Sequence, residues 1–282
     1  MIGIKTVLTR TMMACAIVGC ALAALPAKAQ YGGNVPVSDI DPSIFQIDET
    51  KFLGTKVNGD VDLVDAQGNA FKLADKMGKP LVLVLSYYSC DGSCSIINQD
   101  LNAQLADVTG VTPGEDFNVL TVSFDEHDTL ETMGVFKQHL KMTENMNGAW
   151  TFATFKNKEA IKPFADAIGF NYFWSPQDRT FFHPGAFMFL TPEGRLARVL
   201  YALNSGPKDI KLAVFDAKAG EIKPGDVIDY AISLCYSYNY AEGRYTVSIP
   251  LFVGVGSLTL GVASFTFSVL WFRRRKRGRK VL

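Results

Sequence analysis

The sequence predicts a mixed α/β sheet with flanking helices, followed by one C-terminal transmembrane helix. Three observations predict it. Leu81-Val82-Leu83-Val84-Leu85 is an unbroken apolar run, as expected of a strand buried on both faces. Apolar segments of strand length alternate with segments whose apolar residues recur at helical spacing, which argues strands joined by helical crossovers. Residues 247–272 hold 26 positions without a charge, and about 20 such residues span a bilayer.

The elements follow in order. Residues 1–29 carry Lys5 and Arg10, an apolar run from Met12 to Leu25 and the pattern Ala27-Lys28-Ala29, and read as a signal peptide with Gln30 as the mature start. Cys20 in Ile17-Val18-Gly19-Cys20 resembles a lipoprotein processing site, but the apolar run continues past it, which favours ordinary cleavage. Cys15 and Cys20 would be discarded with the leader. Residues 30–50, rich in Gly, Pro, Ser and Asp, read as a linker arm. The body is expected over 51–245. Asp60–Val64 and Ala70–Leu73 flank Gln67-Gly68-Asn69 as a hairpin. Gly78-Lys79-Pro80 launches the strand Leu81–Tyr88, and Ser95–Val108 has Ile97, Leu101, Leu105 and Val108 at helical spacing. Strand Phe117–Phe124, helix Leu130–Leu140, strand Trp150–Phe155 and helix Lys158–Ile168 come next. Gly185–Leu190 and Arg195–Tyr201 pair across Pro192-Glu193-Gly194, which makes the sheet mixed, and Lys208–Ala219 closes it as a helix. The transmembrane helix is expected over 247–272.

Charge is uneven along the chain. Of 28 basic residues, three lie in 1–29 and seven in 273–280, leaving 18 against 28 acids in the body. An acidic body argues against nucleic-acid binding, which needs clustered Lys and Arg. The seven bases follow the apolar span directly, so the positive-inside rule makes 273–282 a cytoplasmic tail and puts the body across an inner, cytoplasmic membrane, in the periplasm.

The chemistry lies in Tyr87-Tyr88-Ser89-Cys90-Asp91-Gly92-Ser93-Cys94, at the carboxyl end of the buried strand and opening a helix, where ligand groups of α/β sheets gather. Amide N–H groups and the helix dipole there favour thiolate over thiol. A spacing of four sets both sulfurs on one helix face where the helix has begun. Two soft thiolates suit Cu(I), and they can also close into a disulfide. A structural disulfide is chemically open to an exported protein. With three intervening residues, however, it would constrain the unfolded chain little.

Four blocks resemble the Sco/SenC family of copper chaperones: LVLVLSYYSCDGSCSIINQDL, VLTVSFDEHDT, FFHPGAFMFLTPEGRLARVLY and LCYSYNYAEGRY, in the family's order over about residues 52–245. The resemblance implies a thioredoxin-like fold and service to the binuclear copper centre of cytochrome c oxidase. The oxidase's copper-bearing subunit would be the partner, with other copper carriers possible. It implies copper, Cu(I) or Cu(II), bound by Cys90, Cys94 and His183, and it marks Asp125 as a secondary position near the metal loop. Many members have Pro beside the motif cysteines; this chain has Asp91-Gly92-Ser93 between them and Ser95 after.

The residues themselves keep alternatives open. His183 begins a predicted strand between Phe181-Phe182 and Pro184-Gly185, and alone would read as a core histidine. Asp125 would serve equally as a helix cap or turn aspartate before Leu130. His127 reads as a solvated loop residue, and His139 lies on a predicted helix; neither reads as a ligand. Cys235 reads as a buried thiol, flagged because it is odd in an exported chain. Trp150 and Trp174 read as core. Two functions compete. A membrane-anchored metallochaperone needs Cys90, Cys94 and His183, whereas a thiol–disulfide oxidoreductase that keeps oxidase-subunit cysteines reduced needs only the redox-active pair Cys90 and Cys94. A peroxidase on the same fold would want a single reactive cysteine with nearby Arg and Thr, which Ser89 and Ser93 do not supply.

Overall fold

A computed structural model describes residues 41–89, 93–142, 146, 148–218, 236–239 and 242–278. The signal peptide, the first part of the arm, Cys90 and Cys235 lie outside the described residues, as do the side chains of Cys94 and of the basic tail. The described chain forms α1 (Glu49–Phe52), β1 (Asp62–Asp65), β2 (Ala70–Lys72), β3 (Leu81–Ser86), α2 (Ser93–Asp107), β4 (Asn118–Ser123), α3 (Leu130–Leu140), β5 (Trp150–Phe155) and α4 (Ile161–Ala167). It continues through β6 (Phe173–Ser175), β7 (Thr180–Phe182), β8 (Ala186–Leu190), β9 (Leu196–Tyr201), α5 (Pro207–Ala217), β10 (Tyr236–Asn239), β11 (Arg244–Val247) and α6 (Ile249–Gly278).

Seven strands form one mixed sheet in the order β2-β1-β5-β4-β3-β8-β9. β3, β4 and β5 run parallel, as their helical crossovers require, while β1, β8 and β9 join antiparallel. The β3 run explains the layering. Leu81, Leu83 and Leu85 enter one core with Ile161, Phe164 and Ala165 of α4. Val82 and Val84 enter a second core with Leu101 and Leu105 of α2, Met133 and Phe136 of α3, and Ile210 and Val214 of α5. Successive side chains point to opposite faces, so a strand with helices on both sides has no polar position to spare. Each buried Leu or Val contributes about 1.5–3 kcal/mol before chain entropy is counted.

The structure adds three things to the expected plan. The second half of the arm is folded: Ile47 and Glu49 are buried, Glu49 at 5% exposure, and Asp48 caps α1 by accepting from Lys51 N–H. A two-stranded hairpin, β6–β7, stands off the main sheet just before His183; it holds Trp174, which is 48% exposed against Phe181 rather than in the core. A second hairpin, β10–β11, leads into α6, whose stretch Ile249–Trp271, mean hydropathy 1.7, is long and apolar enough to cross a membrane.

Candidate metal and redox site

The site grows from the carboxyl end of β3. Its antiparallel register with β8 pairs Leu83 with Met188 and Leu81 with Leu190. Beyond the paired stretch, the His183 ring lies with its centroid 6.1 Å from that of Tyr87, three residues before Cys90. The α2 side closes on the same place: a Cβ built on Gly185 would lie 3.1 Å from Ile97 Cδ1, so the segment after His183 touches the helix three residues beyond Cys94. The backbone of Cys94 lies in the first turn of α2. The sulfur positions of both cysteines lie outside the described residues, and among those residues no three His, Cys, Asp or Glu side chains form a metal cluster.

His183 is 7% exposed in an aromatic box, its ring centroid 5.1 Å from Phe124, 5.7 Å from Phe170 and 6.1 Å from Tyr87. Its Nδ1 lies 2.9 Å from the Pro184 carbonyl oxygen. A carbonyl only accepts, so Nδ1 carries the proton and the neutral ring has its lone pair on Nε2. Burial lowers the imidazole pKa, and the Pro184 hydrogen bond opposes this more weakly. A neutral ring with its other nitrogen tied to a carbonyl is the usual form of a histidine ligand.

Asp125 follows Phe124, one wall of that box, but turns toward the next loop. Its Oδ1 accepts from His127 N–H at 3.0 Å and lies 2.9 Å from His127 Nδ1. It is therefore a turn aspartate; the cap of α3 is Thr129, which accepts from Thr132 N–H. Asp125, Glu126, His127, Lys158, Tyr172 and Phe181 line a cavity of about 340 Å³ beside the box. His127 and His139 are both exposed, and hydrogen bonding to Asp125 raises the His127 pKa.

Two residues beyond the expected set hold the loop. Asp128 is buried and accepts from Tyr88 N–H at 2.6 Å, Ser89 Oγ at 2.8 Å, Thr132 Oγ1 at 3.0 Å and Ser123 Oγ. Asn98, also buried and one turn beyond Cys94, donates to Ser86 Oγ at 3.2 Å and accepts from Thr121 Oγ1 at 3.0 Å. The signal for Asn98 was present: a polar side chain on the apolar face of a helix needs a partner. Asp128 left no such trace, because an aspartate just before a helix reads as a cap.

A family model described as SCO1/SenC matches residues 50–213. No curated protein matches the sequence. Two solved structures from Aquifex aeolicus are each 32% identical to this chain. One, described as an electron transfer protein, has a TM-score of 0.54 over 60% of this chain and 96% of its own. The other, described as an electron transport protein, has a TM-score of 0.51 over 59% and 99%. The copper-bound ScoI of Bradyrhizobium japonicum is 18% identical, with a TM-score of 0.46 over 58% of this chain and 98% of its own.

Proposed function

This chain belongs to the SCO1/SenC family, and on that premise we propose that it is a membrane-anchored, periplasm-facing copper chaperone. It delivers Cu to the binuclear copper centre of cytochrome c oxidase, with Cys90, Cys94 and His183 as ligands. Copper-bound relatives support the choice of cargo. The observation that carries the reading on this chain is His183: a buried, neutral imidazole whose Nδ1–H is spent on Pro184, in a segment that meets the start of α2 at Gly185. The apolar stretch Ile249–Trp271 supports the anchor, and the bases that follow it support a cytoplasmic C-terminus.

Two thiolates and an imidazole offer a soft site for Cu(I) and a harder nitrogen that matters more for Cu(II). The reduced full chain in detergent is expected to bind one copper. Cys90→Ala and Cys94→Ala each abolish tight binding, and His183→Ala weakens Cu(II) more than Cu(I). Unchanged copper affinity and stoichiometry in His183→Ala, in both oxidation states, would move the assignment to the dithiol oxidoreductase.

A further inference from the structure

We propose that Asp128 is a positioning residue for the dithiol: by holding Tyr88 N–H and Ser89 Oγ, its carboxylate fixes where the chain leaves β3 for Cys90 and so sets how readily the two sulfurs converge. The inference rests on reading Cys90 and Cys94 as a working pair.

The carboxylate of Asp128 is a hub. Its two oxygens take four donors from three segments: Tyr88 and Ser89 beyond β3, Ser123 at the end of β4, and Thr132 in α3. An ionised carboxylate has about four lone-pair sites, so this set fills it, and hydrogen bonds to a charged acceptor are the stronger kind. Lys158 Nζ donates to the Asp128 carbonyl oxygen at 3.1 Å, which holds the backbone of the hub as well. On the far side of the motif, Asn98 ties α2 to Ser86 and Thr121. The segment from Ser86 to Asn98 is thus tethered at both ends to β4 and the loop that follows it.

Both reactions open to the pair need the sulfurs together. In disulfide formation two thiols give up two protons and two electrons and one S–S bond forms; a partner disulfide takes both electrons and both protons and becomes two thiols. Binding a soft cation needs two thiolates at one point. Releasing the β3 side of the loop lets the sulfurs spend more time apart, which disfavours the disulfide and the two-thiolate site alike. Removing a nearby negative charge acts differently: it favours thiolate and would tighten Cu(I) binding. The sign of the Cu(I) change therefore separates positioning from charge.

The test uses the full chain in detergent, with Asp128→Asn, Ser89→Ala and, as a contact to the same carboxylate from the α3 side, Thr132→Val. The dithiol–disulfide constant is read against a glutathione couple, Cu(I) affinity against a chromophoric chelator, and Tm in parallel. For Asp128→Asn both constants are expected to fall about tenfold, the scale of one charge-assisted hydrogen bond, which for this two-electron couple is about 30 mV toward a more oxidising potential. Ser89→Ala, which changes no charge, moves both in the same direction by less. Thr132→Val, which takes one contact from the same carboxylate on the α3 side, lowers Tm and moves both constants in the same direction by less than Ser89→Ala does. A lower Tm with both constants unchanged in Asp128→Asn and Ser89→Ala would overturn the proposal, as would tighter Cu(I) binding in Asp128→Asn. Should Asp128→Asn fail to fold, Ser89→Ala decides alone. Wild-type chain that binds no Cu(I) while its potential still shifts as described would remove the chaperone reading and keep Asp128 as a positioning residue.

Discussion

Raising the pH from 4.5 to 7 is expected to weaken the fold through Glu49. Its carboxyl is buried where α1 meets β9 and β10: Oε1 lies 2.9 Å from the Tyr238 hydroxyl, and the buried Oε2 has no hydrogen-bond partner among the described residues. The same hydroxyl also faces the Val199 carbonyl oxygen. Burial pushes the Glu49 pKa from 4.5 up to about 7, with the Tyr238 hydrogen bond and the Arg198 charge opposing it. Below pH 4.5 the carboxyl is protonated in both folded and unfolded chains and costs nothing. Above that the unfolded chain releases its proton while the folded chain keeps it, so unfolding becomes easier until about pH 7, where the loss levels off. The gap from 4.5 to about 7, at 1.36 kcal/mol per pH unit, sets this loss at about 3 kcal/mol. Urea unfolding of the full chain in detergent, followed by tryptophan fluorescence across this pH range, measures it. Glu49→Gln is neutral at every pH, and the wild-type curve minus the Gln curve should show the whole decline. An equal slope in both proteins would refute the burial argument.

Gly169 sits at φ +74°, and a Cβ there would lie 2.4 Å from the Phe52 ring, so Gly169→Ala should cost at least about 1–2 kcal/mol and lower Tm by about 2–8 °C. An unchanged melting curve would mean that α1 does not approach so closely. Alkaline phosphatase fused after Tyr245 should be active, and the same reporter fused at Leu282 inactive; activity from the Leu282 fusion alone would reverse the orientation.

Elements whose cause is local were legible along the chain. A strand with no polar position, Leu81 to Leu85, has to be covered on both sides, and the 3.6-residue spacing of Leu101 and Leu105 or Met133, Phe136 and Leu140 supplies the covering faces. Asp65, Gln67, Gly68 and Asn69 fix their own turn: Asp65 Oδ1 accepts from the Gln67 and Asn69 amides, and Gly68 takes φ +83°. His183 was legible as a candidate because few histidines exist and its flanking residues match a family block. That this ring is buried and held neutral came from the fold alone, since its box is built from Tyr87, Phe124 and Phe170, distant in the chain. The fold likewise buried Glu49 out of a stretch that composition marks as linker, because the Tyr238 and Val199 that receive it come from β10 and β9. Trp174 went the other way: a large aromatic reads as core, yet its hairpin stands off the sheet and leaves it half exposed. Asp128 meets Tyr88 from forty residues away. Periodicity records which face of one segment avoids water, but a hydrogen bond between segments leaves no spacing in either of them, and so the anchor of the dithiol loop became visible only once the chain was folded.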